Sequence, residues 1–196
     1  GGSTFDAGAR GRPVDRVNRD GGGLVSLRIF ALTKPIIAAI NGPAVGVGIT
    51  MTLPMDVRLA GESAKVGFVF ARRGIVPEAC SSWFLPRLVG MPKALELLFT
   101  ADFVEAKEAL EIGLVNHVYP DDKLMEETYK LATKIARKAP ISVRLIKRAT
   151  YQGQRVDIVT HLDQISSHMT IARSSEDHME AVDAFLEKRH PVFKGR

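Results

Sequence analysis

A short apolar run followed by a glycine-containing turn constrains the fold more than any other stretch of the sequence. Residues 36–40 are apolar and are flanked by a proline and an Asn-Gly pair, a pattern typical of a strand that is buried on both faces. Gly46 and Gly48 follow, and residues 49–53 can begin a helix. A strand, a glycine loop and a helix start in this order can direct backbone N–H groups at a negatively charged oxygen.

The same loop does not fit the common nucleotide-binding patterns. A dinucleotide fingerprint requires a glycine or alanine at position 51, where the sequence has Met51, and there is no Gly-Lys-Ser/Thr segment of a phosphate-binding loop. From the residues alone, two interpretations remain open. The loop either forms an oxyanion site or is a tight strand-to-helix turn that binds nothing.

Composition and charge exclude several classes of protein. The 196 residues are 45% hydrophobic and 25% charged, as in an ordinary globular protein with a core and an appendage. The net charge of +5 is mild and no dense Lys/Arg block occurs, so we expect no nucleic-acid partner. No apolar run is long enough to span a bilayer. Cys80 is the only cysteine, which excludes an internal disulfide and favours a reducing compartment such as the cytoplasm, mitochondrial matrix or peroxisome.

The order of periodic segments predicts a mixed α/β core over residues 1–137 and a helical module over residues 138–196. Within the core, residues 1–23 are rich in glycine and charge and are predicted to be loop-like. Strands are predicted over 36–40, 57–60, 65–70 and 114–119, and helices over 24–33, 78–88, 92–99, 105–112, 122–137, 141–151, 158–172 and from 176 onward.

Residues 34–48 and 55–60 together resemble the signature of the crotonase (enoyl-CoA hydratase/isomerase) superfamily. Similarity continues in the expected order through the segments 73–78, 88–90, 106–115 and 185–193. The resemblance implies a spiral of ββα units followed by a C-terminal helical module that assembles a homotrimer or a hexamer. It also implies that a coenzyme A thioester is the substrate, with no metal and no cofactor. The chain is expected to be N-terminally truncated and to lack the first strands of the family.

The resemblance assigns roles to residues of the glycine loop. The Val47 N–H is expected to donate to the thioester carbonyl oxygen as a catalytic group. The expected substrate-binding residues are Ala44, Gly46, Gly48, Phe70 and Trp83. The second N–H of the oxyanion hole comes from an earlier loop in this family. Residues 5–10 resemble that loop only faintly, so we expect it to lie upstream of Gly1.

The acidic residues indicate which reaction the chain catalyses. Hydratases of this family use two glutamates, and the matching positions hold Thr50 and Phe70, neither of which can transfer a proton as required. Residues 74–82 instead resemble peroxisomal-type Δ3,Δ2-enoyl-CoA isomerases, in which the residue matching Glu78 shuttles a proton between two carbons. We therefore predict an isomerase. Asp56 is a separate case: we predict that it is a structural turn residue and not a catalytic one. The alternatives are a hydratase or another crotonase reaction, or a truncated member that binds acyl-CoA without catalysis.

Two opposing influences on the pKa of Glu78 are predicted. A hydrophobic wall formed by Ile75, Val76, Trp83 and Phe84 would raise the pKa, whereas a position in the first turn of a helix would lower it. The competing interpretation is that Glu78 is an ordinary first-turn acid that stabilises its helix by ~0.5 kcal/mol.

Overall fold

A computed structural model describes residues 19–196 of the protein. The helices of this part are α1 (Gly21–Phe30), α2 (Val47–Thr50), α3 (Ser81–Val89), α4 (Met91–Thr100), α5 (Ala106–Glu111), α6 (Leu124–Ala136), α7 (Pro140–Gly153), α8 (Ile158–Arg173) and α9 (Glu176–Leu186). The strands are β1 (Ile37–Ile40), β2 (Ala44–Val45), β3 (Val57–Gly61), β4 (Lys65–Gly67), β5 (Phe103–Glu105) and β6 (His117–Tyr119). Among the described residues, no helix has both the length and the apolar character required to cross a membrane.

The strands form two small sheets. The first has the order β1-β3-β6 and is parallel throughout, with Ala39 opposite Leu59 and Leu59 opposite His117. The second has the order β2-β4-β5, in which β2 and β4 are parallel and β4 and β5 are antiparallel. The connection from β1 to β3 contains β2 and α2, so the glycine loop lies where the chain passes from one sheet to the other. This is the mixed α/β arrangement that the sequence predicts.

The core anchors one half of α2 and leaves the other half at the surface. Ile49 and Thr50 are fully buried, together with Phe68 and Leu85. Burying a side chain such as Ile49 stabilises the fold by roughly 1.5–3 kcal/mol. Val47 and Gly48, in the first half of the same helix, are exposed. The core therefore fixes the position of α2 while its first two residues face outward.

Two polar groups, the buried Arg58 and the partly buried Asp56, connect distant elements. Arg58 on β3 is 4% exposed and donates to the carbonyl oxygens of Leu114 and Met55 at 2.8 and 2.7 Å. Burial lowers the pKa of this guanidinium. Asp56 accepts hydrogen bonds from the Ile36 N–H, the Lys147 ammonium and the Tyr151 hydroxyl at 2.7, 2.7 and 2.9 Å. Asp56 thereby connects α7 to the start of β1, in agreement with a structural rather than a catalytic role.

Several element boundaries differ from the sequence prediction. Helix α1 begins at Gly21 rather than at residue 24, because Asp20 accepts hydrogen bonds from the backbone of Gly22 and Gly23 and caps the helix. The strand predicted over 65–70 ends at Gly67. The strand predicted over 114–119 begins only at His117, because the N–H groups of residues 114 and 115 both donate to the Ala109 carbonyl. The prediction missed the short strands β2 and β5.

Candidate active site

The glycine loop turns sharply between β2 and α2. Ala44 on β2 is buried, and the Gly46 N–H donates to the Gly67 carbonyl at 3.0 Å, so the loop is fixed to β4. Gly46 has φ 55° and ψ −124°, a conformation that residues with a side chain rarely adopt. Glycine at position 46 therefore allows the chain to leave β2 and enter α2 directly.

The first two N–H groups of α2 are unoccupied. The N–H groups of Ile49 and Thr50 donate to the Gly46 carbonyl at 3.1 and 3.0 Å. The N–H groups of Val47 and Gly48 have no acceptor among residues 19–196. Such free donors at a helix start can stabilise an anionic oxygen. A Cβ at Gly48 would meet nothing within 4 Å, so the described surroundings do not require glycine there.

The carboxylate of Glu78 lies beside this loop. A Cβ built on Gly46 would lie 3.7 Å from Glu78 Oε1. Burial of the half-buried Glu78 side chain raises its pKa, and the negative charge of Asp20 raises it further. The structure therefore places Glu78, the predicted proton acceptor, beside the loop whose Val47 N–H is the predicted oxyanion donor. The raised pKa makes Glu78 a better proton acceptor than an ordinary glutamate when it is ionised.

The backbone after Glu78 keeps that residue outside a helix. Ala79 and Cys80 adopt left-handed conformations with φ 56° and 57°. The carbonyl of Glu78 accepts hydrogen bonds from the Ser81 N–H and hydroxyl at 2.9 and 2.6 Å. Helix α3 consequently begins at Ser81, and the predicted first-turn position of Glu78 is wrong.

Comparison with known proteins identifies the family of this chain. Residues 3–196 match the family model described as "Enoyl-CoA hydratase/isomerase". The chain belongs to the enoyl-CoA hydratase/isomerase family. It is 44% identical over 179 residues to the enoyl-CoA hydratase ACTT3 of Alternaria alternata, covering 90% of this chain and 60% of that relative. It is 36% identical to the enoyl-CoA isomerase/hydratase fer4 of Mycosarcoma maydis, covering 86% of this chain and 62% of that relative.

Solved structures support the same assignment. The crystal structure of an enoyl-CoA hydratase from Bacillus anthracis matches with a TM-score of 0.86 and 38% identity, covering 89% of this chain and 69% of that chain. The predicted crotonase-type fold is thereby confirmed. The chain spans about 60% of the length of the two curated relatives described above. The segment 5–10, which faintly resembles the family's second oxyanion loop, lies outside the described residues.

The predicted hydrophobic wall beside Glu78 is only partly present. Val76 is 80% exposed and Ile75 is 41% exposed, so the prediction that they bury the carboxylate is wrong. Both belong to the irregular segment between the 3-10 turn (Ala71–Arg73) and α3 and are exposed. Phe84 is buried in the core. The half-buried Trp83 packs edge-to-face on Phe84 with 4.7 Å between ring centroids.

Two further side chains contact Trp83. Phe30 on α1 packs edge-to-face on it at 5.8 Å, and the guanidinium of Arg87 lies 3.8 Å from its ring centroid. A cation–π contact such as that between Arg87 and Trp83 contributes about 0.5–1 kcal/mol at exposed sites. These contacts fix the orientation of Trp83 next to the segment that carries Glu78. Its place in the substrate-binding site stays a prediction.

The two positions at which the family's hydratases carry glutamates hold interior residues. Thr50 is 0% exposed, and its hydroxyl has no hydrogen-bond partner among the described residues. Phe70 is 3% exposed and belongs to the hydrophobic core. Its expected contact with substrate therefore stays a prediction. No cluster of three or more His, Cys, Asp or Glu side chains suited to a metal ion occurs within residues 19–196.

Sequence reasoning missed one acidic residue near the site. Asp20 was included in the loop-like segment 1–23, yet its carboxylate caps α1 and accepts the Ala79 N–H at 2.6 Å. A usable signal was present, because an aspartate directly before the apolar helix of residues 24–33 is a typical N-cap. The three glycines that follow Asp20 obscured this signal, because glycine disfavours helix.

Proposed function

We propose that this protein is an enoyl-CoA isomerase that moves a double bond of an acyl-CoA thioester from the 3,4 to the 2,3 position. One observation carries the proposal: the Glu78 carboxylate lies beside the glycine loop whose Val47 and Gly48 N–H groups are unoccupied within residues 19–196. Enolate chemistry requires a base and an oxyanion donor that lie close to each other.

The proposed reaction uses one carboxylate twice. Glu78 removes a proton from C2, next to the thioester. The C2–H electron pair forms a C1=C2 bond, and the carbonyl π pair moves onto oxygen, where the Val47 N–H stabilises the charge. The carbonyl then re-forms, a C2=C3 bond forms, and the former C3=C4 π pair takes the proton back from Glu78 at C4. Substrate and product are isomers, so the step needs no electron acceptor.

The environment of Glu78 supports this role. A general base works best when its pKa lies near the operating pH, and both burial and the charge of Asp20 raise the pKa of Glu78 from its ordinary value. The side chain is only half-buried, so it remains accessible to a substrate at the loop.

Hydration is the second candidate, and the names of the relatives favour it. ACTT3 is named a hydratase, and fer4 is named an isomerase/hydratase. Hydration requires an activated water and a proton donor for the neighbouring carbon, which the family's hydratases provide with two glutamates. Among residues 19–196, Glu78 is the acidic residue found beside the loop, since Thr50 and Phe70 are buried and not acidic. The third alternative is acyl-CoA binding without turnover.

A pair of rates distinguishes the candidates. The full-length protein should convert a 3-enoyl-CoA to its 2-enoyl isomer faster than it hydrates a 2-enoyl-CoA. Glu78→Gln keeps the size and polarity of the side chain but cannot accept the proton, so isomerisation should fall by roughly a hundredfold or more. The matched control is Glu62→Gln, an exposed glutamate after β3, which should leave both rates unchanged.

A backbone variant tests the oxyanion donor. Val47 is the first residue of α2, a position at which proline is tolerated because its missing N–H has no helical partner. Val47→Pro should lower turnover by roughly a hundredfold without changing the melting temperature.

For the pair of rates, faster hydration than isomerisation in the wild type, or normal isomerisation by Glu78→Gln, would show that the reaction is wrongly assigned.

We also propose that the protein acts as a homotrimer or hexamer. Helix α8 has no buried residue, although Ile158, Val159 and Leu162 on it are 83%, 67% and 61% exposed. Phe185 and Leu186 at the end of α9 are 83% and 71% exposed. Apolar surface of this extent on adjacent helices favours contact with another subunit.

A further inference from the structure

Asp20 lies where the first turn of α1 meets the segment that carries Glu78. Its Oδ1 accepts the Gly22 N–H at 3.0 Å, and its Oδ2 accepts the Gly23 N–H at 2.9 Å. The same Oδ2 accepts the Ala79 N–H at 2.6 Å, 59 residues further along the chain. A single carboxylate thus caps a helix and holds the residue that directly follows Glu78.

The glycines of α1 allow this contact. A Cβ on Gly22 would lie 3.2 Å from the Cβ of Ala79, and a Cβ on Gly23 would lie 3.4 Å from the sulfur of Cys80. Ala79 and Cys80 also have left-handed backbone, a conformation that persists only where surrounding contacts enforce it. The hydrogen bond from the Ala79 N–H to Asp20 is one such contact.

We propose that Asp20 is a positioning residue for Glu78, which fixes the backbone beside that carboxylate and holds a second negative charge near it. The inference rests on the proposed function, because it deepens the role of Glu78 as the proton shuttle. Asp20 itself does not touch the reacting carbons. It acts by orienting Glu78 toward the glycine loop and by disfavouring its ionised form.

The charge effect on Glu78 agrees with this geometry. Burial is the larger cause of its raised pKa and the Asp20 charge is the second. Arg72 pairs with Asp102, and Arg87 lies over the Trp83 ring. Further charged or titratable groups on the described elements nearby are Arg28 on α1, Arg73, Cys80 and Arg155, whose guanidinium lies 5.7 Å from the Trp83 ring centroid, while α2 carries none. Asp20 is the charged group identified as raising the pKa of Glu78.

Two substitutions separate the charge of Asp20 from its hydrogen bonds. Asp20→Asn removes the charge but keeps one oxygen that can accept the Ala79 N–H. Asp20→Ser can still cap α1 but is too short to hold Ala79. The control is Asp157→Asn, because Asp157 caps α8 through the Val159 and Thr160 N–H groups in the same way and is exposed.

The first measurement does not depend on turnover. The full-length protein is labelled with ¹³C at the glutamate side-chain carboxyls, and the signal of Glu78 is identified by its absence in Glu78→Gln. Asp20→Asn should lower the pKa of Glu78, and Asp157→Asn should leave it unchanged. An unchanged titration of Glu78 in Asp20→Asn would overturn the proposal, whatever the melting temperature of that variant.

The second measurement uses isomerisation. In Asp20→Asn the acidic limb of the pH–kcat profile should move to lower pH with KM unchanged, and Asp20→Ser should lose more kcat than Asp20→Asn. In the Glu78→Gln background, Asp20→Asn should cause no further loss. A further loss there would contradict action through Glu78. If Glu78→Gln isomerises normally, the proposed function fails, while the titration still decides whether Asp20 tunes Glu78.

Discussion

Replacing Asp56 with alanine should destabilise the protein more than any exposed ion-pair substitution. Asp56 accepts three hydrogen bonds, from the Ile36 N–H, the Lys147 ammonium and the Tyr151 hydroxyl. The side chains of Asp56 and Lys147 are only 16% and 8% exposed. Removing the carboxylate therefore leaves an ammonium buried beside one remaining acceptor, the Lys34 carbonyl at 2.9 Å.

The size of the effect follows from that burial. Breaking a buried ion pair by removing one partner costs about 3–5 kcal/mol, because the other charge is left uncompensated. For a chain of this length, each 1 kcal/mol shifts the melting temperature by about 2–4 °C, so the expected decrease is roughly 6–20 °C. The Tyr151 hydroxyl loses its acceptor as well. Its pKa, which burial and the Asp56 charge raise, should fall toward the ordinary value of tyrosine.

Denaturant unfolding and thermal melting measure the loss, with a matched exposed pair as the control. Arg72 and Asp102 lie 2.9 Å apart, and their side chains are 48% and 72% exposed, so Asp102→Ala should cost less than ~1 kcal/mol. Adding Lys147→Met to Asp56→Ala should recover part of the stability, because it removes the uncompensated charge. A loss below ~1 kcal/mol for Asp56→Ala would refute the reasoning that α7 is held to the core by this buried group.

Two further predictions concern assembly and acid stability. Leu162→Asp on the exposed face of α8 should lower the mass measured by sedimentation, because it introduces charge into the proposed subunit contact. A wild-type monomer at micromolar concentration would contradict the assembly. The Arg189 guanidinium and the Val192 N–H hold the pKa of Glu180 at about 2, below its ordinary value. The associated stability is present above the unfolded pKa and is lost as pH falls from about 4.5 toward 2, so Glu180→Gln should flatten the acid-melting curve in that window.

Local sequence signals predicted the glycine loop and its supporting strand. The predicted strand over 36–40 corresponds to β1, whereas the helix expected to begin at residues 49–53 begins earlier, as α2 at Val47, and ends at Thr50. Both depend on features that act over a few residues: an apolar run, a turn pair and glycines that permit unusual backbone angles. The long helices α6 and α7 were also predicted closely, because their apolar faces recur with helical periodicity.

Contacts between distant residues account for what the sequence could not predict. Asp20 and Ala79 are 59 residues apart, and their hydrogen bond holds the backbone directly after Glu78. Propensity and the proline at position 77 favoured a helix from residue 78, whereas the left-handed backbone at Ala79 and Cys80 delays it to Ser81. The partners of Asp56 on α7 are 91 and 95 residues away, so its residue type alone indicated a turn but not the connection it makes.

The packing of α2 determines which of its residues face the core and which face the glycine loop. The helix is only one turn long, and its second half is buried through Ile49 and Thr50 while its first half offers free N–H groups. In this chain an ionised carboxylate at position 50 would need a polar partner in the core, and among the described residues the Thr50 hydroxyl has none. Phe70 also belongs to the core, so a carboxylate at that position would need a polar partner there as well. Glu78 lies beside the loop on a segment outside any helix, which is why we propose this carboxylate, rather than a residue of α2, as the base.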